Sequence, residues 1–573
     1  MTRRILRTLT QLALLTVTIS LFVFLADSRY RVLPTSIHDR LPNHHAGSVV
    51  TDITVTFCSS ANPFSTCKLS EDEGWRRVEK DLYLGSGWLQ SAWVHVKRKS
   101  EEELTAGEKV VVGVRVGRLN PGVADGEDWE RREAGVWVLR SGKRHDSDSD
   151  RAVTAVDVLF GADAVDPRAG WVLAGTPLLV ESGRGLQQAR LSTRHGRHNV
   201  KTEEKTRDAQ LRVRKDGRFK ILQISDAHLS TGTGVCRDAI DASGQPSTNC
   251  EADVRTLEFI ESILDSETPD LVVLSGDQVE GPSSPDTQST LFKLAAPLIE
   301  RKLPFASIFG NHDDESPISL SRSAQMSILQ NLPYSLSQPG PPDTEGMGVG
   351  NYVLEILAPG SSQHSALTIY LLDSHSLSPD EKRYKGYDWI KPSQISWFKS
   401  TAQSLRKAHA KYSHFHLDMA FLHIPLPEYA KPNLLVKGGE WREGVTAPGY
   451  NSRFYDALVE EGVVAVGCGH DHVNDYCALR PSNPSGISGG EAHENDHGVK
   501  EGKLGPWMCY AGGSGFGGYA GYGGFHRRVR VWEVDVNAGR IGTWTRVECC
   551  GEDVHERHNE LVVVDGGRVV APS

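Results

Sequence analysis

The rhythm of apolar and polar positions changes twice along the chain. After a polar stretch at 27–47, short apolar runs from Val49 to about Arg190 are broken by Gly, Asp and Pro. They predict strands at Ile53–Phe57, Trp88–Lys97, Lys109–Val116, Gly135–Leu139 and Trp171–Ala174, hence a small mostly β domain over 49–192. Near Phe219 strand-like runs begin to alternate with stretches of helical spacing. Asp253–Leu264 brings Val254, Leu257, Phe259, Ile260 and Ile263 to one helical face. Thr287–Arg301 is a second helix, which Pro297 is expected to kink or split. A strand at 366–373, a helix at Gln394–Ala408, a strand at His416–Ile424, a helix at Phe454–Glu460 and a strand at 463–467 follow. Arg528–Val536 alternates as a strand, with Trp544–Glu548 as its antiparallel partner. This order predicts an α/β sheet with helices on its faces.

A length of 573 residues exceeds one ordinary core, so more than one domain is expected. The segments divide as 1–30, a tether at 31–48, the β domain at 49–192, a linker at 193–214, an α/β domain at 215–535 and a C-terminal strand and tail at 536–573. A net charge of -10 without a basic stripe argues against a nucleic-acid partner. The charged runs His145–Arg151 and Arg194–Lys215 read as solvated loop and linker.

Residues 1–30 change the picture of location. Arg3, Arg4 and Arg7 precede Leu9–Ala26, which carries no charge and as a helix rises about 27 Å, close to a bilayer core. The reading is a signal-anchor that makes the chain a single-pass endomembrane or vacuolar protein; a cleaved signal peptide and secretion is the rival, and a buried helix the third option. Nine cysteines suit translocation, and Cys58/Cys67, Cys236/Cys250 and Cys468/Cys477 are sequence-local candidates for bridging.

The candidate chemistry lies where apolar runs stop. Ile-Leu-Gln-Ile-Ser-Asp-Ala-His (221–228), Leu-Val-Val-Leu-Ser-Gly-Asp (271–277), Phe-Gly-Asn-His-Asp-Asp (309–314) and Val-Val-Ala-Val-Gly-Cys-Gly-His-Asp-His (463–472) all end in metal-type donors. Asp226 and His228 share a face of an extended strand end, and His470 and His472 repeat that spacing. With Asp277, Asn311 and His423 the inventory suits two ions, Asp277 being able to bridge them. Tyr510–Phe525 is glycine-dominated; without Gly-Lys-Ser/Thr it is not a nucleotide P-loop, and it reads as a phosphate cradle or as a tightly turned segment passing the rim.

The segments Asp-Ala-His, Gly-Asp-Gln-Val-Glu-Gly, Gly-Asn-His-Asp and Gly-His-Asp-His, with His423 between the last two, resemble the calcineurin-like metallophosphoesterases over residues 215–535. Tyr387-Asp388-Trp389, Gln394, Trp397 and Gly-Phe-Gly-Gly-Tyr at 515–519 resemble a fungal branch typed by a yeast cell-cycle-regulating phosphatase, with similarity to short divergent plant purple-acid-phosphatase-like proteins. The resemblance implies layered β sheets flanked by helices. It implies one metal on Asp226, His228, Asp277 and His472 and another on Asp277, Asn311, His423 and His470, the ions being manganese, iron or zinc. His312 would serve the phosphate as a proton or hydrogen-bond donor, with Asp313 orienting its ring.

The implied activity is hydrolysis of phosphate monoesters, phosphoproteins among them, by a hydroxide held between the two metals. A phosphodiesterase or pyrophosphatase with the same site, and a non-catalytic metal-binding scaffold, are the alternatives. In purple enzymes a tyrosine stands three residues after the bridging Asp; here Glu280 does, so a colourless protein is expected. Arg237, Glu280, Asp314 and Tyr519 are candidates for the substrate pocket, while His375, His414 and His416 are read as ordinary or pocket-lining histidines.

Overall fold

The computed structural model describes residues 2–30 (side chains only for 7–23), 47–59, 67–87, 90–100, 103–105, 107–142 (side chains of 124–125 apart), 147, 149–180, 187–196, 210–241, 243–342, 346–409, 415–481, 504–520, 525–548 and 556–571. They form two compact units, Met1–Val200 and Lys201–Ser573.

The first unit is built from antiparallel strands in three three-stranded sheets. Ser48–Ser59 pairs along its length with Gln90–Ser100, and Trp75–Arg77 pairs with the other edge of the latter. Val153–Phe160 and Ala189–His195 form a second long pair. Val50, Ile53, Val55, Val94, Val96, Val136, Val138, Val158 and Leu191 share one core. Alternation explains part of this packing: in Ser48–Ser59 Val50, Ile53 and Val55 face the core while Asp52, Thr54 and Thr56 do not. Residues Thr2–Tyr30 form one helix. Among the described residues no helix is long and apolar enough to cross a membrane.

The second unit stacks two seven-stranded sheets, metallophosphatase fashion, with helices outside. One sheet runs Phe305–Ile308, Leu271–Ser275, Arg218–Ile224, Arg528–Asp535, Arg540–Val547, His558–Asp565, Arg568–Val569. The other runs Tyr352–Leu357, Ser365–Leu371, Leu417–Phe421, Ala465–Cys468, Trp507–Tyr510, Cys477–Leu479, Leu435–Lys437. Ile221, Leu271, Val273, Ile308 and Trp532 of the first pack with Ile369, Met419, Phe421 and Trp507 of the second in one core. Helices Pro392–His409 and Phe454–Glu461 cover the far face of the second sheet through Phe398, Ala402, Phe454 and Leu458. Helix Ala252–Glu267 is tied to the first sheet by Glu267, which accepts from Trp544 Nε1 at 2.9 Å and Lys220 Nζ at 2.8 Å. Helix Thr287–Glu300 is unbroken across Pro297. The expected split does not occur: Pro297 lies in the last turns, so it removes one hydrogen bond near an end, and the buried Leu291, Phe292, Leu294 and Leu298 hold the helix in place.

Within each sheet the three strands that matter run parallel. Ile221 aligns with Leu271 and Val272 with Phe305; Leu367 aligns with Leu417 and Met419 with Ala465. Their carboxyl ends therefore open at one common edge, where the donor-bearing loops sit. Disulfides join Cys58–Cys67, Cys236–Cys250 and Cys477–Cys509, and Cys468 is free and buried. The expected Cys468/Cys477 bridge is thus corrected. Cys468 packs on the helix side of the second sheet with Tyr510 and Met508, whereas Cys477 and Cys509 face the inter-sheet core.

Candidate functional site

Four of the donors leave their strands through a backbone turn that ordinary residues avoid. Asp226, His228, Asp277 and His470 have φ of 55°, 44°, 52° and 80°. Left-handed backbone costs on the order of 1 kcal/mol per non-glycine residue, and such strain collects where a side chain must be aimed. Main-chain bonds hold these turns together: Asp226 N–H donates to Gly276 O and His228 N–H to Asp277 O, both at 3.0 Å. Asp313 is buried beneath them and accepts from Asp277 N, Val279 N and Gly310 N at 3.0, 3.0 and 2.7 Å. Burial and the nearby Asp277 raise its pKa to about 7 against those N–H groups.

The side chains converge in two buried groups, Asp226–His228–His472 and Asp277–His423–His470, whose donor atoms within each group lie within 4.8 Å of one another. In the first group His228 Nδ1 lies 2.7 Å from Glu280 Oε2, and His472 Nδ1 lies 2.6 Å from Tyr519 O. A carbonyl and an ionised carboxylate only accept, so both Nδ1 atoms carry the hydrogen. The two Nε2 lone pairs then face each other at 3.2 Å, an arrangement that asks for a positive charge between them. In the second group His423 Nδ1 is fixed by Ser275 O at 2.9 Å, which aims Nε2 at Asp277 Oδ2, 3.1 Å away. His470 Nε2 and Asn311 Oδ1 are buried with no hydrogen-bond partner.

The electrostatics match. Burial alone would raise Asp226, yet His472 and His423 hold it down at about 2. Asp277 lies well below the usual carboxylate range for the same reason, His423 being its chief partner against burial. Burial and the neighbouring His423 push His470 down to about 3, leaving a neutral ring with a free lone pair. Burial opposes charge on His423, but Asp277 and Asp226 raise it to about 9. Without another cation the cluster holds a proton there. Carboxylates, neutral imidazoles and an amide oxygen with buried, unpaired donor atoms are the set that first-row divalent metals take.

His312 sits at the open side, with its side chain about a third exposed, 36%. Its ring centroid is 5.1 Å from that of His228, and its backbone N–H donates to Asp277 Oδ1 at 2.8 Å. Burial opposes its charge, but Asp277 and Glu315 raise its pKa above the ordinary histidine value. The expected partner of its ring is corrected. Asp313 is spent on backbone N–H groups below the site, and Glu315 Oε2 lies 2.7 Å from His312 Nδ1. Glu315 was not foreseeable: a carboxylate three residues on in a loop carries no signal until the loop's path is known.

The pocket candidates separate. Glu280 joins His228 to Arg237, whose Nη2 is 3.0 Å from Glu280 Oε1. Tyr519 stacks on His472, centroids 4.0 Å apart, and its hydroxyl donates to Glu443. Asp314 pairs instead with Arg322. His375 bonds Gln394 and His416 bonds Ser365 O and Thr368, away from either group, while His414 lies outside the described residues. The glycine-rich segment passes directly behind the histidines: Gly513 N–H donates to His472 O and Gly515 N–H to Asp226 O. A Cβ on Gly518 would stand 2.6 Å from both His228 Cδ2 and His472 Cε1, so only glycine lets the strap lie this close.

Two sheets that bring two buried groups of metal-type donors to one edge are the arrangement of a metallophosphoesterase. The chain belongs to the calcineurin-like phosphoesterase family, whose model matches residues 219–474, and is a phosphoric ester hydrolase by class. It is 38% identical over 420 residues to Phosphatase DCR2 of Saccharomyces cerevisiae, covering 71% of this chain and 67% of that protein. It is 38% identical over 353 residues to Probable inactive purple acid phosphatase 14 of Arabidopsis thaliana, covering 59% of this chain and 80% of that one. Among solved structures, purple acid phosphatase PPD1 from yellow lupin aligns with a TM-score of 0.37 at 11% identity, over 76% of this chain and 68% of that chain.

Proposed function

We propose that the chain hydrolyses phosphate monoesters at a dinuclear metal centre. Asp226, His228, Asp277 and His472 would hold one ion, and Asp277, Asn311, His423 and His470 the other. The observation that carries this reading is the pair of buried donor groups with lone pairs turned inward, beside a partly exposed His312 paired with Glu315. Two divalent cations, when bound, supply the charge that makes water a nucleophile at neutral pH and neutralises the phosphoryl oxygens. Asp277, locked by His312 N–H and by Asp313, fixes the spacing of the two groups. His312, whose pKa Asp277 and Glu315 raise against burial, would deliver a proton to the leaving oxygen.

The name of the plant relative favours a second reading, a scaffold that binds metal without turnover. Against it stands the presence here of all seven donors. A panel of monoester, diester, nucleoside polyphosphate and phosphoserine or phosphothreonine peptide substrates, run on the metal-reconstituted chain with and without chelator, decides among these. Chelator-sensitive turnover of monoesters is expected. Turnover of diesters or polyphosphates alone would replace the reading, and no turnover by a fully loaded chain would favour the scaffold.

Glu280 bonds the far nitrogen of His228 rather than offering a phenolate, so the iron-loaded protein is expected to lack a purple charge-transfer band; its appearance in the visible spectrum would contradict this placement. Three disulfides support an oxidising compartment, endomembrane or extracellular. Protease protection of the second unit in sealed membranes, or its recovery in the medium, is the expected result; digestion in sealed membranes with none in the medium is the contrary one.

A further inference from the structure

Residues 376–388 fold back on themselves beside the second donor group. Asp388 N–H donates to Ser376 O and Ser378 N–H to Gly386 O, both at 2.9 Å, and Leu377 bridges to Tyr387. The base of this hairpin is anchored to the site, since Ser376 Oγ donates to Asn311 O at 3.4 Å. Its last residues present Tyr387, whose ring stands edge-on to His470 with centroids 4.3 Å apart at 89°. A wall of Tyr384, Trp389 and Tyr450 continues outward, with centroids 4.7–5.4 Å apart.

We propose that Tyr387 is a phosphate-contacting residue, its hydroxyl donating a hydrogen bond to an oxygen of the bound phosphoryl group. The proposal rests on the reading of the site as a phosphoesterase centre. The position argues for it. The ring contact places Tyr387 against a donor of the second group, on an arm fixed to Asn311. A phenol in that place is a neutral hydrogen-bond donor beside a site built to hold cations, and an anionic phosphoryl oxygen is its fitting partner. Tyr387 and His312 then serve the same phosphate from neighbouring walls.

Tyr387→Phe removes the hydroxyl and keeps the ring edge on His470, so a merely packing role would leave it silent. The test is calorimetric titration of inorganic phosphate into the metal-loaded full chain, with bound metal counted in parallel. The expected result is affinity about tenfold weaker in the variant at unchanged metal content. Equal affinity overturns the proposal. So does absence of phosphate binding by the loaded wild type, or loss of metal together with phosphate, which would make Tyr387 a support for His470. If the wild type binds phosphate through Tyr387 but hydrolyses no ester, the proposed activity fails and the phosphate contact stands.

Discussion

The two donor groups look alike in composition and differ in how they are held. In Asp226–His228–His472 one histidine is turned by a side chain, Glu280, and the other by a main-chain carbonyl of the glycine strap. In Asp277–His423–His470 the fixed histidine leans on Ser275 O within the first sheet, and His470 is left with an open Nε2 against Tyr387. The first group is thus oriented from behind by a loop and a carboxylate. The second is set by strand ends, with its open face toward the hairpin. Asp277 belongs to neither exclusively: its Oδ2 is 3.7 Å from His228 Nε2 and 3.1 Å from His423 Nε2. Affinity for one ion should therefore be tunable without the other, while removal of Asp277 should affect both.

The largest effect is expected for Asp277→Asn. Loss of a shared charge worth several kcal/mol of transition-state stabilisation should lower kcat/KM by about three orders of magnitude, with metal retention reduced at both sites. Turnover near wild type in a purified, metal-quantified variant would sink the assignment. Glu280→Gln tests the difference between the groups. It takes away the carboxylate behind His228, and loss of such a partner weakens metal binding about 10- to 100-fold. Competition with a chelator should show one ion weakened and the other unmoved; two ions weakened equally, or neither, would erase the distinction.

A smaller effect concerns the support behind Asn311. Buried Arg322 pairs with Asp373 and donates to Gly310 O at 2.7 Å. Burial would raise Asp373, but Arg322 outweighs it and the carboxyl is depressed below its ordinary value. A depressed carboxylate contributes stability that is present above the unfolded pKa, about 3.9, and is lost as pH falls through the folded value. The difference in urea midpoint between wild type and Asp373→Asn should therefore be full at pH 6 and shrink as pH drops below 4. A gap that is flat or widens on acidification would contradict this.

Much of the site was legible because its ligands end strands. An apolar run stopping at Asp226, Asp277 or His470 shows both the strand and the point where the chain must turn, and the i, i+2 pairs show the shared face. The features that stayed hidden depend on contacts distant in sequence. Cys236–Cys250 closes a short loop and could be read from spacing, whereas Cys477 reaches Cys509 because their strands are neighbours, a fact carried by sheet order. Glu315 became the partner of His312 only through the fold of one loop. In the first unit Val153–Phe160 was missed because it is buried on both faces and shows no alternation, the signal on which its neighbours were recognised.

The central claim is that seven side chains make two metal sites sharing Asp277. Its most direct test is the number of ions bound per chain, measured by mass spectrometry on the full chain reconstituted with manganese, zinc or iron and freed of excess. The account predicts two per wild-type chain and one in His423→Ala. One ion per wild-type chain, none, or two retained in His423→Ala would contradict it.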